Sequence, residues 1–271
     1  MEIVYNKTEA EERTFVQKLV DTAWPALRPV VGQVLGRGGQ AAVYKLAFAD
    51  GRSEALKVID TSVYRDPARR GRSEIYYHQH LTAKTDTVVR LFDTASIPLS
   101  RERGQDAPMC FLLRMELLTP LDPKNLVALD PANREKAVLQ IMRDVLEGLC
   151  QTEDAGIVHR DVKCGNILLR HDPATGQSRF VLSDFGLARP FHTRTDRSFF
   201  TVCGSSDHIA PEIIRRGKLI AGRSDIYSAG VMLIHLLFPQ NDDYFDPALF
   251  RQKSAEFPYS PEINHLLFSL T

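Results

Sequence analysis

The sequence predicts an α+β fold of two unequal lobes, a small antiparallel β-sheet lobe with one helix followed by a larger, mainly α-helical lobe. Two observations carry this. From Val30 to Ile59 the apolar residues fall into short β-like runs, two of them separated by the turn Ala49-Asp50-Gly51. After Pro120 the apolar period lengthens to that of a helix. The 271 residues, 44% apolar and 25% charged, can bury a full core in one large or two smaller domains.

Taken in order, Thr8 and Glu11 form a capping box ahead of Phe15, Val16, Leu19, Val20, Ala23 and Trp24. Their spacing predicts a helix that ends at Pro25 and packs into a core, or serves as a docking helix for a partner. A curled three-stranded sheet is expected over Val30 to Ile59, a helix over Arg69 to Leu81, and further strands over Val88 to Phe92 and Cys110 to Leu117. Asp93 to Pro108 is polar and reads as a loop. Asp130 caps a helix with Pro131 at its first position and Val138, Ile141, Val145, Leu146 and Leu149 on one buried face. Asp225 to Phe238 is almost wholly apolar, and a helix there belongs at the centre of its lobe.

Charge and cysteine usage narrow the class. Lys plus Arg equals Asp plus Glu at 34 each, so no global field points to a nucleic-acid or membrane partner. Cys110, Cys150, Cys164 and Cys203 lack metal-ligand or disulfide spacing and read as free thiols of a cytoplasmic or nuclear protein. The acidic N-terminus is no secretory signal, and the run from Ala229 to Phe238 is too short to cross a bilayer.

Four groups of residues carry chemistry. Gly36-Arg37-Gly38-Gly39-Gln40-Ala41-Ala42-Val43 would let backbone N–H groups approach phosphate oxygens with no side chain in the way. A dinucleotide-binding fold tolerates the same G-x-G-x-x-A pattern, but there the turn opens a helix, whereas here a β-hairpin pattern follows. Lys57 stands in the apolar run Ala55-Leu56-Lys57-Val58, with Glu74 seventeen residues later. A lysine there is costly unless its ammonium finds an anion, although taken singly each residue also reads as a solvated charge.

The third group, His159-Arg160-Asp161-Val162-Lys163-Cys164-Gly165-Asn166, is the most specific, and Asp184-Phe185-Gly186 follows it. Phosphoryl transfer needs one carboxylate to orient a hydroxyl, and a second carboxylate plus an amide oxygen to hold Mg2+. Asp161, Asp184 and Asn166 supply that set in the required order. The fourth group runs from Asp184 to Ala210-Pro211-Glu212 and contains Thr201-Val202-Cys203-Gly204-Ser205.

Together these motifs resemble the eukaryotic-type protein kinase family in its serine/threonine form. The resemblance covers about Val34 to Thr271 and implies a two-lobed protein-kinase-like fold with a five-stranded sheet, its lobes joined near Leu117 and ATP between them. It divides the chain into an N-terminal helical extension, 1–30, and a kinase domain, 31–271, with lobes of about 31–117 and 118–271.

The resemblance also implies the site. Asp161 would act on the substrate hydroxyl and Lys163 would neutralise the transferring phosphate, while Asn166 and Asp184 would hold Mg2+. Lys57, positioned by Glu74, would meet the α and β phosphates beneath Gly36, Gly38 and Ala41, the last standing where a third glycine is usual. Glu116 and Leu118 would hydrogen-bond adenine through their backbone, with Val43, Ala55 and Leu168 enclosing it. Thr201 would be a regulatory phosphorylation site paired with Arg160, Ser205 would contact Asp161 and Lys163, and Asp225 would brace the catalytic loop.

Departures are His78, where an aliphatic residue is usual, Tyr227 for tryptophan, and Cys164-Gly165 for Pro-Glu. The last removes an acidic side chain that some kinases use to read a substrate arginine. The implied activity is transfer of the γ-phosphoryl group of Mg-ATP to serine or threonine of a protein substrate, with Leu187 hinting at serine. The alternatives are a nucleotide-binding pseudokinase or scaffold and a small-molecule kinase, the latter disfavoured by Ala210-Pro211-Glu212. The resemblance implies that no segment up to Thr271 matches the family's last helical element, whose arginine pairs with the counterpart of Glu212, and apolar surface is then expected near Ile263, Leu266 and Leu267. Nothing in the sequence indicates an oligomeric state.

Overall fold

In the computed structural model, residues 8–38, 41–61, 67–99, 108–190, 223–238, 260–261 and 263 are described. They fall into two compact units, one of Met1–Ala83 with Val89–Leu118, the other of Lys84–Val88 with Thr119–Thr271.

The first unit is built on a five-stranded antiparallel sheet of order β1-β2-β3-β5-β4, with β1 at Val30–Arg37, β2 at Ala41–Ala47, β3 at Ser53–Asp60, β4 at Leu91–Pro98 and β5 at Met109–Glu116. The β2–β3 turn needs Gly51, whose φ is +85°. Strand alternation sorts the side chains onto two faces. Ala42, Tyr44, Leu46, Leu56, Val58, Cys110 and Leu112 form one buried cluster with Val16, Leu19 and Val20 of helix α1, Glu9–Ala23, and with Trp24 at its C-cap. α1 therefore buries its apolar stripe against the sheet as a packing helix. Its start carries the expected capping box, with Thr8 Oγ1 accepting from Glu11 N–H at 3.3 Å and the Glu11 carboxylate accepting from Thr8 N–H at 2.8 Å. Gln17 ties it to β1 by accepting from Val31 N–H at 2.8 Å and donating to the Pro29 carbonyl at 3.0 Å. Arg114 lies on the α1 face, forked onto Glu54 at 2.8 and 3.1 Å, with its guanidinium 5.2 Å from the Trp24 ring centre.

Helix α2, Pro67–Thr82, packs on β4 and β5 and reaches β3 through Glu74. Gly71 allows this approach, since a Cβ there would lie 2.3 Å from the Phe111 ring.

In the second unit, β6 (Thr119–Pro120) precedes α3 (Lys124–Val127) and the long helix α4 (Pro131–Asp154). Asp130 caps α4 by accepting from Asn133 N–H at 3.1 Å. Then come β7 (Ile157–Val158), a 3-10 turn at Cys164–Asn166, β8 (Ile167–His171), β9 (Ser178–Leu182), β10 (Arg189–Pro190) and helix α5 (Arg223–Leu237). β6, β8 and β9 form one small sheet, and β7 with β10 another. Val231, Met232, Leu233 and Leu236 of α5 have no exposed surface, as its apolar composition predicts. No helix among the described residues is long and apolar enough to cross a membrane. Cys110, Cys150 and Cys164 are free thiols.

Three expectations are corrected. Asp93–Pro98 is not loop but most of β4, which pairs only with β5 among the described strands and, as an edge strand, accepts polar residues. Val88 lies outside β4 and makes an isolated bridge to Leu182. Ile263, expected at an exposed apolar surface, is 0% exposed, in a segment joined to α4 by the Ser260 N–H bond to Glu135 at 3.3 Å. Leu266 and Leu267 lie outside the described residues.

Candidate active site

The candidate residues gather in each unit separately. In the first, the β1–β2 hairpin pairs Gly36 with Val43 and Arg37 with Ala42, and Gly38 N–H donates to the Ala41 carbonyl at 2.8 Å. A Cβ added at Gly36 would meet nothing within 4 Å, and one at Gly38 only the Ala41 oxygen at 3.8 Å. Neither glycine has the positive φ that would require it. Internal packing thus explains Gly71 but not Gly36 and Gly38, whose missing side chains leave room for a molecule from outside.

Val43 is opposite Lys57 on β3, and Lys57 is opposite Leu113 on β5, so the lysine shares the face of the sheet that is turned away from α1. Its ammonium is 2.5 Å from Glu74 of α2, and both side chains are under 10% exposed. The pair that the family resemblance implies is thus formed and desolvated. His78, one turn later, is 1% exposed, with Nε2 2.8 Å from the Val89 carbonyl. That polar partner explains the imidazole where an aliphatic side chain was expected. Ala55 is buried opposite Met115. Glu116 gives its N–H to the Arg90 carbonyl at 3.0 Å. Leu118 ends this unit.

In the second unit, the loop after β7 is held from below. Asp225 at the start of α5 accepts from the backbone N–H groups of His159 at 2.7 Å and Arg160 at 2.8 Å. Burial pushes the Asp225 carboxyl up, opposed by the neighbouring His159 and Arg160. Arg160 itself has φ +70°, a left-handed conformation that this brace sustains. Asp225→Asn is expected to lower stability by about 1–3 kcal/mol, because an amide offers one oxygen where two N–H groups need acceptors. The urea midpoint measures it, and an unchanged midpoint would refute the brace.

Above the brace, Asp161 Oδ2 accepts from Asn166 Nδ2 at 2.9 Å and from Lys163 Nζ at 2.8 Å. Asn166 Nδ2 also donates to the Asp161 carbonyl at 2.7 Å, which turns its amide oxygen away from Asp161. Ser183 was not singled out from sequence, yet its N–H and hydroxyl both donate to the Asn166 carbonyl at 2.9 Å. Its own carbonyl lies 3.0 Å from Nε2 of His159, whose Nδ1 accepts from Asp161 N–H at 3.3 Å. Adjacency to Asp184 was the sole signal available. Asp184 has φ +63° and accepts from Gly186 N–H at 3.2 Å, while the Phe185 ring packs 5.0 Å from that of His159. Backbone bonds through Ser183 thus set Asp184 relative to Asn166.

One carboxylate and one amide suit Mg2+, which takes few protein ligands and completes its shell with water and phosphate oxygens. Among the described residues there is no cluster of three or more His, Cys, Asp or Glu of the kind that binds a metal on its own. Leu168 is in β8, paired with Val181 and Pro120. Cys164, beside Lys163, is no nucleophile, since burial pushes its thiol up to about 12. Thr201, Cys203, Ser205 and the Ala210-Pro211-Glu212 segment lie outside the described residues.

Comparison with known proteins agrees with this arrangement. Residues 30–248 match the family model described as protein kinase domain. The chain is 30% identical over 219 residues to the probable serine/threonine-protein kinase PknB of Bifidobacterium longum, covering 80% of this chain and 31% of that protein. It is 32% identical over 235 residues to the serine/threonine-protein kinase PknL of Mycobacterium tuberculosis, covering 85% and 55%. CBL-interacting protein kinase 4 of Oryza sativa is 33% identical over 222 residues, with 76% and 43% covered. The chain thus spans about a third to a half of the length of these curated relatives.

Proposed function

The chain belongs to the protein kinase family, and from that premise we propose that it transfers the γ-phosphoryl group of Mg-ATP to serine or threonine hydroxyls of protein substrates. The observation that carries this reading is the Asp161 carboxylate held by both Asn166 and Lys163. So held, it is fixed in place to accept a hydrogen bond from an incoming hydroxyl and orient its oxygen for attack. Lys163, 33% exposed, has freedom to follow charge onto the transferring phosphate. Lys57, kept in place by Glu74, meets the α and β phosphates, and the open backbone at Gly36 and Gly38 covers them. In this reading Val43 and Ala55 in the first unit and Leu168 in the second are the residues assigned to adenine, with the backbone of Glu116 and Leu118 as its hydrogen-bonding partners. Asn166 and Asp184 are the metal ligands, and Mg2+ bound there would neutralise triphosphate charge.

Thr201 is the activating phosphosite in this reading, its phosphate pairing with Arg160. No described residue favours a scaffold without turnover. The test is an arrayed library of serine, threonine and tyrosine peptides with radiolabelled ATP, with and without excess chelator. Label on serine and threonine peptides, lost with the chelator, is expected. Label confined to tyrosine, or retained without divalent metal, would overturn the proposal.

A further inference from the structure

Glu12 is the anomaly of the first unit. It falls on the apolar stripe of α1, one turn before Val16, and its side chain is 3% exposed. A carboxylate in that position is costly to bury unless it is paired. Its pairing is specific. Arg37 Nη1 donates to Oε1 at 2.7 Å and Nη2 to Oε2 at 2.6 Å, a two-pronged contact that fixes orientation as well as distance. The Tyr44 hydroxyl donates to Oε1 from β2. Burial pushes the Glu12 carboxyl up, but the Arg37 and Tyr44 hydrogen bonds outweigh it and hold the group below its usual value.

What Glu12 grips matters more than that it is paired. Arg37 ends β1 between Gly36 and Gly38, and Tyr44 lies on the returning strand, in register with Val34. One carboxylate thus holds both strands of the glycine-rich hairpin near its tip. The helix that presents it is fixed at its start by the Thr8 capping box and farther on by Val16, Leu19, Val20 and Trp24 in the core. Buried ion pairs are weak devices for stability alone. The matched kinase region begins at residue 30, so the grip comes from a helix outside it.

We propose that Glu12 is a positioning residue, which sets the glycine-rich hairpin through Arg37 and Tyr44 and so makes nucleotide handling depend on α1. The effect on nucleotide rests on the ATP-dependent reading above. The effect on the hairpin does not.

The experiment compares the full chain with Glu12→Gln, Arg37→Gln, the double variant, and Val16→Ala, which removes a core contact while leaving Glu12 on Arg37 and Tyr44. Amide hydrogen exchange is measured across residues 30–47, alongside KM for ATP and kcat. Glu12→Gln is expected to speed exchange in the hairpin and to raise KM about tenfold with kcat within about twofold. The double variant should be no worse than either single one, because both remove the same contact. Val16→Ala, even with an equal or larger fall in melting temperature, should leave hairpin exchange and KM near wild type. Unchanged hairpin exchange in Glu12→Gln, or the same change in Val16→Ala, would overturn the proposal. An unchanged KM beside a loosened hairpin would overturn the link to nucleotide. Should wild type show no ATP turnover, the ATP reading falls, and the exchange comparison still decides whether Glu12 holds the hairpin.

Discussion

Asp161→Asn is expected to lower kcat by about a thousandfold, within the range ascribed to a positioned base, while the affinity for Mg-ATP changes by less than about twofold. The geometry explains the separation. The asparagine oxygen can still accept from Asn166 or from Lys163, so the loop keeps its shape. The substitution removes the negative charge that would polarise a hydroxyl, together with a partly exposed ion pair to Lys163 that contributes about 1 kcal/mol or less. Calorimetry of Mg-ATP binding beside turnover of radiolabelled ATP measures both quantities. Turnover within tenfold of wild type, or a collapse of nucleotide affinity, would assign Asp161 another role.

Lys57→Met should be the most damaging change in the first unit, costing about 3–5 kcal/mol of stability and eliminating measurable turnover. Methionine fills the space of the aliphatic stem but takes the ammonium away from Glu74, whose carboxylate is 6% exposed. For a chain of this size that loss corresponds to a fall in melting temperature of roughly 10 °C. The double change Lys57→Met with Glu74→Leu separates the two effects, since an apolar pair of similar volume restores stability without restoring chemistry. Thermal unfolding and turnover of both variants decide the matter. A double variant as unstable as the single one would mean that the unpaired charge is not the cause, and turnover in Lys57→Met would remove the lysine from the reaction.

The proximity of the catalytic-loop residues was legible because they are near neighbours in sequence. Asp161, Lys163 and Asn166 are close enough along the chain that one turn of backbone brings them together, and that turn is the 3-10 segment at Cys164–Asn166. Lys57 and Glu74 were legible through burial, since a charged residue inside an apolar run demands an anion. The edge strand was not. Asp93, Thr94 and Ser96 lie in β4, which pairs only with β5 among the described strands, and composition there resembles a loop. Val88 and Val89 mislead in the opposite sense, being 0% and 1% exposed outside any named strand, with Val88 in a single isolated bridge to Leu182. His78 and Glu12 share a cause. Each is a polar residue whose partner is distant in sequence, the Val89 carbonyl and Arg37, and only the fold supplies it. For Glu12 a signal existed, an acid on the apolar face of a helix four residues before Val16.

The single tryptophan of the chain, Trp24, is 7% exposed at the end of α1, with its indole N–H on Asp93 at 2.7 Å and the Arg114 guanidinium over its ring. Intrinsic fluorescence excited at the red edge therefore comes from one address. Lifting α1 from the sheet would hydrate the indole, shift its emission to longer wavelength and separate it from the cation, whereas unfolding of the second unit alone would leave the spectrum in place. Far-ultraviolet circular dichroism instead sums the helices of both units. A melt recorded in both channels thus carries its own colour code, in which superimposed curves signify one cooperative transition and staggered curves identify which unit yields first.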